Sequence, residues 1–222
     1  MGDTAGGVES LYPFLYEGAA DLEAVLEEVR RSSVAKAGEI VSLRQEVVER
    51  DGARLLACAQ AMAAAFAAGH KLLTFGNGGS STDAQDIATT FLCPAGGRRP
   101  LPALALTSDI AVVTALSNDV GFEVVFARQI AVFGRAGDIA VGLSTSGNSD
   151  NLVRAFEEAA RRGLLTVGLA GYEGGKMAEL DTIDHLFVVP STSVHRIQEA
   201  QTTVYHVLWE LTQAVLADAP RS

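Results

Sequence analysis

Cysteine is scarce in this 222-residue chain. Cys58 and Cys93 are the two present, with neither the spacing of a zinc ribbon nor the number of a disulfide scaffold, so a reducing compartment and two buried thiols are expected. Positive charge is short as well. Lys and Arg total 17 against 27 Asp and Glu, a formal net charge of -10, and Arg98-Arg99 is an isolated pair on a loop rich in Gly and Pro. That balance argues against direct nucleic-acid contact. Long apolar runs are missing too: the most apolar stretch, residues 55–68, contains Gln60 and is too short to span a bilayer. The start, Met1-Gly2-Asp3-Thr4, lacks the charged-then-apolar pattern of a secretory signal. The expectation is a cytoplasmic, soluble protein, with no repeats and with disorder confined to its first and last few residues.

What is present suits one compact α/β domain with helices added: 48% of residues are hydrophobic and 20% charged. Residues 19–49 carry apolar side chains at helical spacing (Leu22, Val25, Leu26, Val29, then Ile40, Leu43, Val47), interrupted at Ser32-Ser33. One or two amphipathic helices are expected there. Asp51 then reads as the N-cap of a further helix over 55–68 that stops at Gly69 and offers an alanine face for close packing. These helices can cover a sheet, pair subunits, or do both. From Lys71 onward short apolar strands alternate with helices: strands over 72–75, 104–106, 139–143, 165–170 and 186–189, helices over 80–92, 110–116, 122–133 and 195–216. Such alternation implies a parallel sheet covered on both faces, with ligands at the carboxyl ends of its strands.

Two strand exits carry the chemistry. The third strand breaks into Ser144-Thr145-Ser146-Gly147-Asn148-Ser149 ahead of a helix. Hydroxyls and free backbone N–H groups at a helix N-terminus make a neutral anion site, where a phosphate fits. The competing reading is an ordinary βα turn with an N-cap serine. The first strand opens into Gly76-Asn77-Gly78-Gly79-Ser80-Ser81, whose order is neither the dinucleotide fingerprint nor a Walker loop. Neither loop contains Lys or Arg, so recognition would rest on hydroxyl and backbone donors and be reversible.

Together with Asn118-Asp119-Val120-Gly121-Phe122, Gly174-Gly175-Lys176-Met177-Ala178 and Arg196-Ile197-Gln198-Glu199, these loops resemble the SIS (sugar isomerase) domain and, more narrowly, the phosphoheptose isomerase family. The resemblance divides the chain into an N-terminal helical segment (1–50), a SIS domain (51–218) and a tail (219–222). It implies a parallel-sheet α/β fold, a homotetramer with shared sites, and a small-molecule sugar phosphate as partner. It also implies that Ser144, Thr145, Ser146 and Ser149 hold the phosphate, while Asn77, Gly78, Gly79, Ser80, Asn118, Asp119 and Gln198 line the sugar chain.

The family binds zinc through a histidine and a glutamate on the helix after the glycine loop and a glutamine and a histidine on the last helix. Gln198 and His206 match; the other two positions are Asp86 and Thr90. Asp86 still offers a carboxylate, but a Thr90 hydroxyl cannot replace a carboxylate base. The metal set implied is thus Asp86, Gln198 and His206, poor for zinc, and weak or absent zinc binding is expected. Gln198 and His206 also lie about 12 Å apart along one helix, so a shared ion would need their side chains to lean together or to come from two subunits. His206 and Asp86 are the candidate proton-transfer residues for an aldose–ketose isomerase acting on sedoheptulose 7-phosphate. Asp83, one turn earlier, is a weaker candidate. His206 reads equally as an interface histidine beside Val204 and Trp209, and His70, His185 and His195 as structural or exposed. Thr90 keeps a second class open, a phosphosugar-binding or scaffold protein like the SIS proteins that associate with the DnaA replication initiator.

Overall fold

A computed structural model describes residues 22–218. The expectations placed on Met1 to Thr4, on residues 19–21 and on the 219–222 tail fall outside that range. The first element, α1 (Leu22–Ala67), is one helix of 46 residues. Neither the break expected at Ser32-Ser33 nor the new start at Asp51 is found. Serine inside a helix costs only roughly 0.5 kcal/mol against alanine, too little to end one. Asp51 is 1% exposed and serves a different purpose from a cap: its carboxylate receives Arg50 at 2.7 Å and Arg54 at 2.6 Å. Those guanidinium groups donate onward to the carbonyls of Val188 and Leu186 on the last strand, occupying acceptors that a sheet edge would otherwise present to another chain.

Contacts divide the chain between Val41 and Ser42. Of the first unit the structure describes residues 22–41, an exposed helical stretch carrying Val25, Leu26, Val29 and Val34 and the ion pair of Arg30 with Glu27 at 2.7 Å. The second unit holds the remaining elements. After α1 come β1 (Leu72–Gly76), α2 (Gly79–Leu92), β2 (Ala103–Ala105), α3 (Ile110–Asp119), a 3-10 turn (Phe122–Val124) and α4 (Val125–Phe133). There follow β3 (Ile139–Ser144), α5 (Asp150–Arg161), β4 (Leu165–Gly171), a second 3-10 turn (Gly175–Glu179), β5 (His185–Val189) and α6 (Val194–Asp218). The α3 pattern thus runs on to include Asn118 and Asp119, and the expected 122–133 helix begins as a tighter turn.

The five strands are all parallel, in the order β2-β1-β3-β4-β5. Every residue of β1 and β3 is buried, as near-continuous apolar runs covered on both faces require. Alternation sends Leu73 and Phe75 into a cluster with Phe126 of α4 and Phe156 of α5, the Phe75 ring lying 5.5 and 5.3 Å from those two. Gly142 of β3 makes room for them: a Cβ there would come within 2.5 Å of Phe75 and 2.6 Å of Phe156. On the other face Thr74 donates to the carbonyl of Ala84 on α2 at 2.6 Å. Small buried residues of α1, Cys58, Ala59 and Ala63, permit the close packing anticipated for the alanine face, and Phe66 stacks on Phe91 of α2 at 5.5 Å. The two thiols differ. Cys58 is fully buried and its thiol is pushed up to about 12 by desolvation, whereas Cys93 is exposed, correcting the expectation that both are interior. Cys93 follows the last residue of α2, where the chain leaves the packed layer.

At the amino ends of β1 and β3 one carboxylate holds the strands together. Asp138, 2% exposed, accepts the Lys71 N–H at 3.0 Å and the Arg135 N–H at 2.9 Å, and pairs with the Lys71 ammonium. Burial pushes this carboxyl up, but the Lys71 ammonium and the two N–H groups outweigh it and leave it below the ordinary carboxylate range. A lowered folded-state value means the stabilisation is present above the unfolded value of about 3.9 and is lost as pH falls through the folded one. Asp138→Asn should therefore cost about 1.5 to 3 kcal/mol at neutral pH, a deficit that shrinks on acidification toward about pH 3. Urea unfolding of both proteins at the two pH values checks this; an equal deficit at both would contradict it.

Candidate active site

In a doubly wound sheet, ligands bind where neighbouring strands lead their connections in opposite directions. Here that place lies between β1, which leads to β2 on one side, and β3, which leads to β4 and β5 on the other. The register pairs Gly76 with Leu143, so the glycine loop and the serine loop leave the sheet side by side. Each opens a helix whose first N–H groups lack a side-chain cap: Gly78 precedes α2 and Ser149 precedes α5, and neither position makes a side-chain capping bond. Ser149 stands at the N-cap position of α5 as the plainer reading expects, but its hydroxyl makes no capping bond, so capping does not account for the serine cluster. Ser149 Oγ lies 3.2 Å from Ser144 Oγ, Ser144 Oγ accepts the Gly147 N–H at 3.1 Å, and Ser146 Oγ accepts the Asn148 N–H at 3.2 Å. Accepting bonds from the backbone fixes the hydroxyl oxygens and leaves O–H donors for an anion.

Two supports hold the serine loop in shape. Gly147 has φ 67°, and a Cβ on it would overlap the carbonyl of Gly174. Across this glycine contact Met177 N–H donates to Gly147 O at 3.0 Å and Lys176 N–H to Asn148 Oδ1 at 3.0 Å. The Gly174–Met177 stretch thus acts as a buttress. The second support is a reciprocal amide pair: Asn77 donates to Asn151 and Asn151 to Asn77, both at 2.9 Å, tying the glycine loop to the second residue of α5. Asn77 therefore spends much of its amide bridging the loops. Asn151 was missed by sequence reasoning, although one signal existed: it is a polar residue in register with Ala155 and Ala159 on the buried stripe of α5.

The acid–base candidates lie where α2 meets α6. Gln198 Nε2 donates to Asp83 Oδ2 at 3.3 Å, and its amide sits so close to Gly79 that a Cβ there would overlap it. One turn further along α2, Asp86 Oδ2 accepts the Tyr205 hydroxyl at 2.7 Å and lies 3.5 Å from His206 Nε2. Asp86 and His206 remain about half exposed, 49% and 44%, which leaves them accessible to a ligand. Burial raises the Asp83 carboxyl above its ordinary value; the Gln198 bond opposes this and the neighbouring Asp86 adds to it. Ser80 is buried in the first turn of α2, and Thr90 is half-buried one turn beyond Asp86. Asn118 and Asp119 stand at the exposed end of α3, bonded to each other at 2.7 Å; among the described residues neither bonds to either loop.

Gln198 turns to Asp83 while His206 turns to Asp86, so the implied set of Asp86, Gln198 and His206 is divided between two carboxylates. Asp86 Oδ2 is already engaged by Tyr205 and faces His206. One imidazole, one carboxylate and one amide are a poor donor set for zinc. An open groove of about 880 Å³ borders the serine loop through Ser146 and Asn148 and continues along Tyr172, Glu173, Ser191 and Thr192. It does not include Asp86 or His206.

This pair of loops at the β1/β3 crevice is that of the SIS domain, whose family model matches residues 37–171. Phosphoheptose isomerases are similar over nearly the whole chain. That of Aquifex aeolicus is 40% identical over 198 residues, covering 89% of this chain and 98% of its own, and that of Nitratidesulfovibrio vulgaris (strain Hildenborough) is 44% identical over 191 residues, covering 86% and 91%. The solved structure of phosphoheptose isomerase GmhA from Neisseria gonorrhoeae superposes with a TM-score of 0.77 at 34% identity, covering 84% of this chain and 99% of that one. The chain belongs to the SIS domain family and, within it, to the phosphoheptose isomerase family.

If the serine loop binds phosphate, replacing Ser144 and Ser146 together by alanine removes two donors worth about 0.5 to 1.5 kcal/mol each. Affinity for a sugar phosphate should fall several-fold to about a hundredfold. Calorimetry that finds the double variant binding as tightly as the parent would remove the loop from the site.

Proposed function

We propose that the chain is an aldose–ketose isomerase acting on sedoheptulose 7-phosphate. The observation that carries this reading is the placement of an uncapped, hydroxyl-rich helix N-terminus beside the glycine loop, in a protein whose α2 and α6 also present a carboxylate–imidazole pair. Relatives named phosphoheptose isomerase at about 40% identity support it. Ser144, Thr145, Ser146 and Ser149 take the phosphate, and Asn77, Gly78, Gly79, Ser80, Asn118, Asp119 and Gln198 follow the sugar chain.

The reaction moves one proton between adjacent carbons and one between their oxygens. Asp86 takes the proton from C1 of the ketose as protonated His206 gives one to the C2 oxygen, forming an enediol. Asp86 then returns its proton to C2 while neutral His206 accepts the proton of the C1 hydroxyl, leaving the aldose and both residues as they began. No step is assigned to zinc, which on this reading binds weakly or not at all. The protein works in the cytoplasm as a homotetramer. The exposed apolar side chains Ile110, Val120, Phe122, Val132 and Phe133 support assembly, since such a surface is costly in a monomer. Thr90 in place of a base favours a second reading, binding without turnover, as in the DnaA-associating SIS proteins.

Purified protein assayed with sedoheptulose 7-phosphate, with and without added zinc, separates the two readings. Turnover that His206→Ala abolishes is the expected result, whereas saturable binding with no turnover under either condition selects the second. Light scattering at low micromolar concentration should give the mass of four chains. A monomeric mass would refute the assembly.

A further inference from the structure

Asp86 lies on a half-exposed face of α2, where a lone carboxylate would rotate freely; something must hold it for directed proton transfer. In the zinc-dependent arrangement implied by family resemblance, an ion would organise these positions. Here a side chain from the last helix reaches the same oxygen. Tyr205 is 4% exposed, its ring lies 4.9 Å from the His206 ring, and its hydroxyl donates to Asp86 Oδ2 at 2.7 Å. A buried tyrosine has two side-chain torsions and a rigid ring, so its hydroxyl is held more firmly than the carboxylate it meets. The same oxygen faces His206 Nε2 at 3.5 Å. Its engagement by the Tyr205 hydroxyl opposes coordination of an ion through that oxygen, while Oδ1 is left for the substrate.

We infer that Tyr205 is a positioning residue that fixes the Asp86 carboxylate against His206, a hydrogen bond standing where the resemblance implies a metal ion. This rests on the isomerase reading for its kinetic consequence but not for its structural one. A tyrosine can also sit behind a metal-bound carboxylate and orient it, so the decisive question is whether the hydroxyl supports an ion or replaces one. The two cases respond in opposite ways to removal of the hydroxyl. An outer partner of a metal ligand, when lost, weakens metal binding by roughly 10- to 100-fold. A hydroxyl that occupies the ligand's lone pair, when lost, leaves binding unchanged or strengthens it.

Tyr205→Phe keeps the ring and its packing and removes the hydroxyl that meets Asp86. Two measurements on the full-length parent and this variant decide the matter: steady-state kinetics with sedoheptulose 7-phosphate after exhaustive chelation, and calorimetric titration with zinc chloride alone. The expected results are a chelated parent that retains its kcat, a variant whose kcat falls about tenfold with KM changed less than about twofold, and zinc binding no tighter than micromolar that the variant does not weaken. A merely structural tyrosine would not move kcat apart from KM. Tight zinc binding by the parent that Tyr205→Phe weakens, loss of turnover on chelation, or a variant with the parent's kcat would each overturn the inference. If neither protein turns over in any metal state, the isomerase reading falls, and the zinc titration still decides between hydroxyl and ion.

Discussion

Parallel pairing of β1 with β3 places the glycine and serine loops side by side. The register sets Leu72 beside Ile139 and Gly76 beside Leu143, so the two strands end level and their exits emerge together. Asp138 fixes the amino ends of the same pair through Lys71, and the Asn77–Asn151 amide pair fixes the carboxyl ends. Between these two clamps the strands are fully buried, which makes the crevice rigid in a way that a loop alone could not be. Two helix N-termini, each with N–H groups free of side-chain caps, then converge on one small volume. An anion is the natural occupant of such a place, and no cationic side chain is needed to attract it.

Much of this architecture was legible in the sequence because its signals are local. Apolar runs of three to six residues separated by helical patterns fix a parallel sheet, and the five strands fall where those runs lie. Both loops were visible for the same reason: glycine and hydroxyl residues crowd directly after a strand. The errors came where tertiary contact overrides local preference. Asp51 has the chemistry of a helix cap, but its partners are two arginines that reach β5, more than 130 residues away in sequence, and the helix runs through it. Cys93 looked apolar in composition and lies at an exposed helix end. Asn151, Asp83 and Tyr205 acquire their roles only from residues on other elements, and a single sequence without the fold offers no distance between them.

Where this chain departs from its family, the structure gives the departure a shape. Along the α2–α6 contact Gln198 is hydrogen-bonded to Asp83, while His206 lies 3.5 Å from Asp86, whose carboxylate accepts the Tyr205 hydroxyl. The serine loop, in contrast, is supported on both sides, by the Gly174–Met177 buttress and by Asn151. The serine loop and the Asp86–His206 pair thus stand on different supports, which allows one to change while the other is kept.

On the proposed reading, the phosphate sits between the ends of β1 and β3, on the serine loop. A crystal structure with sedoheptulose 7-phosphate tests it most directly. The account predicts phosphate oxygens within hydrogen-bond distance of the hydroxyls of Ser144, Thr145, Ser146 and Ser149 and of the first N–H groups of α5, with the sugar chain running toward Gly78, Gly79 and Asp86. A phosphate lodged instead along Tyr172, Glu173 and Ser191, away from the Ser144 and Ser149 hydroxyls, would contradict it.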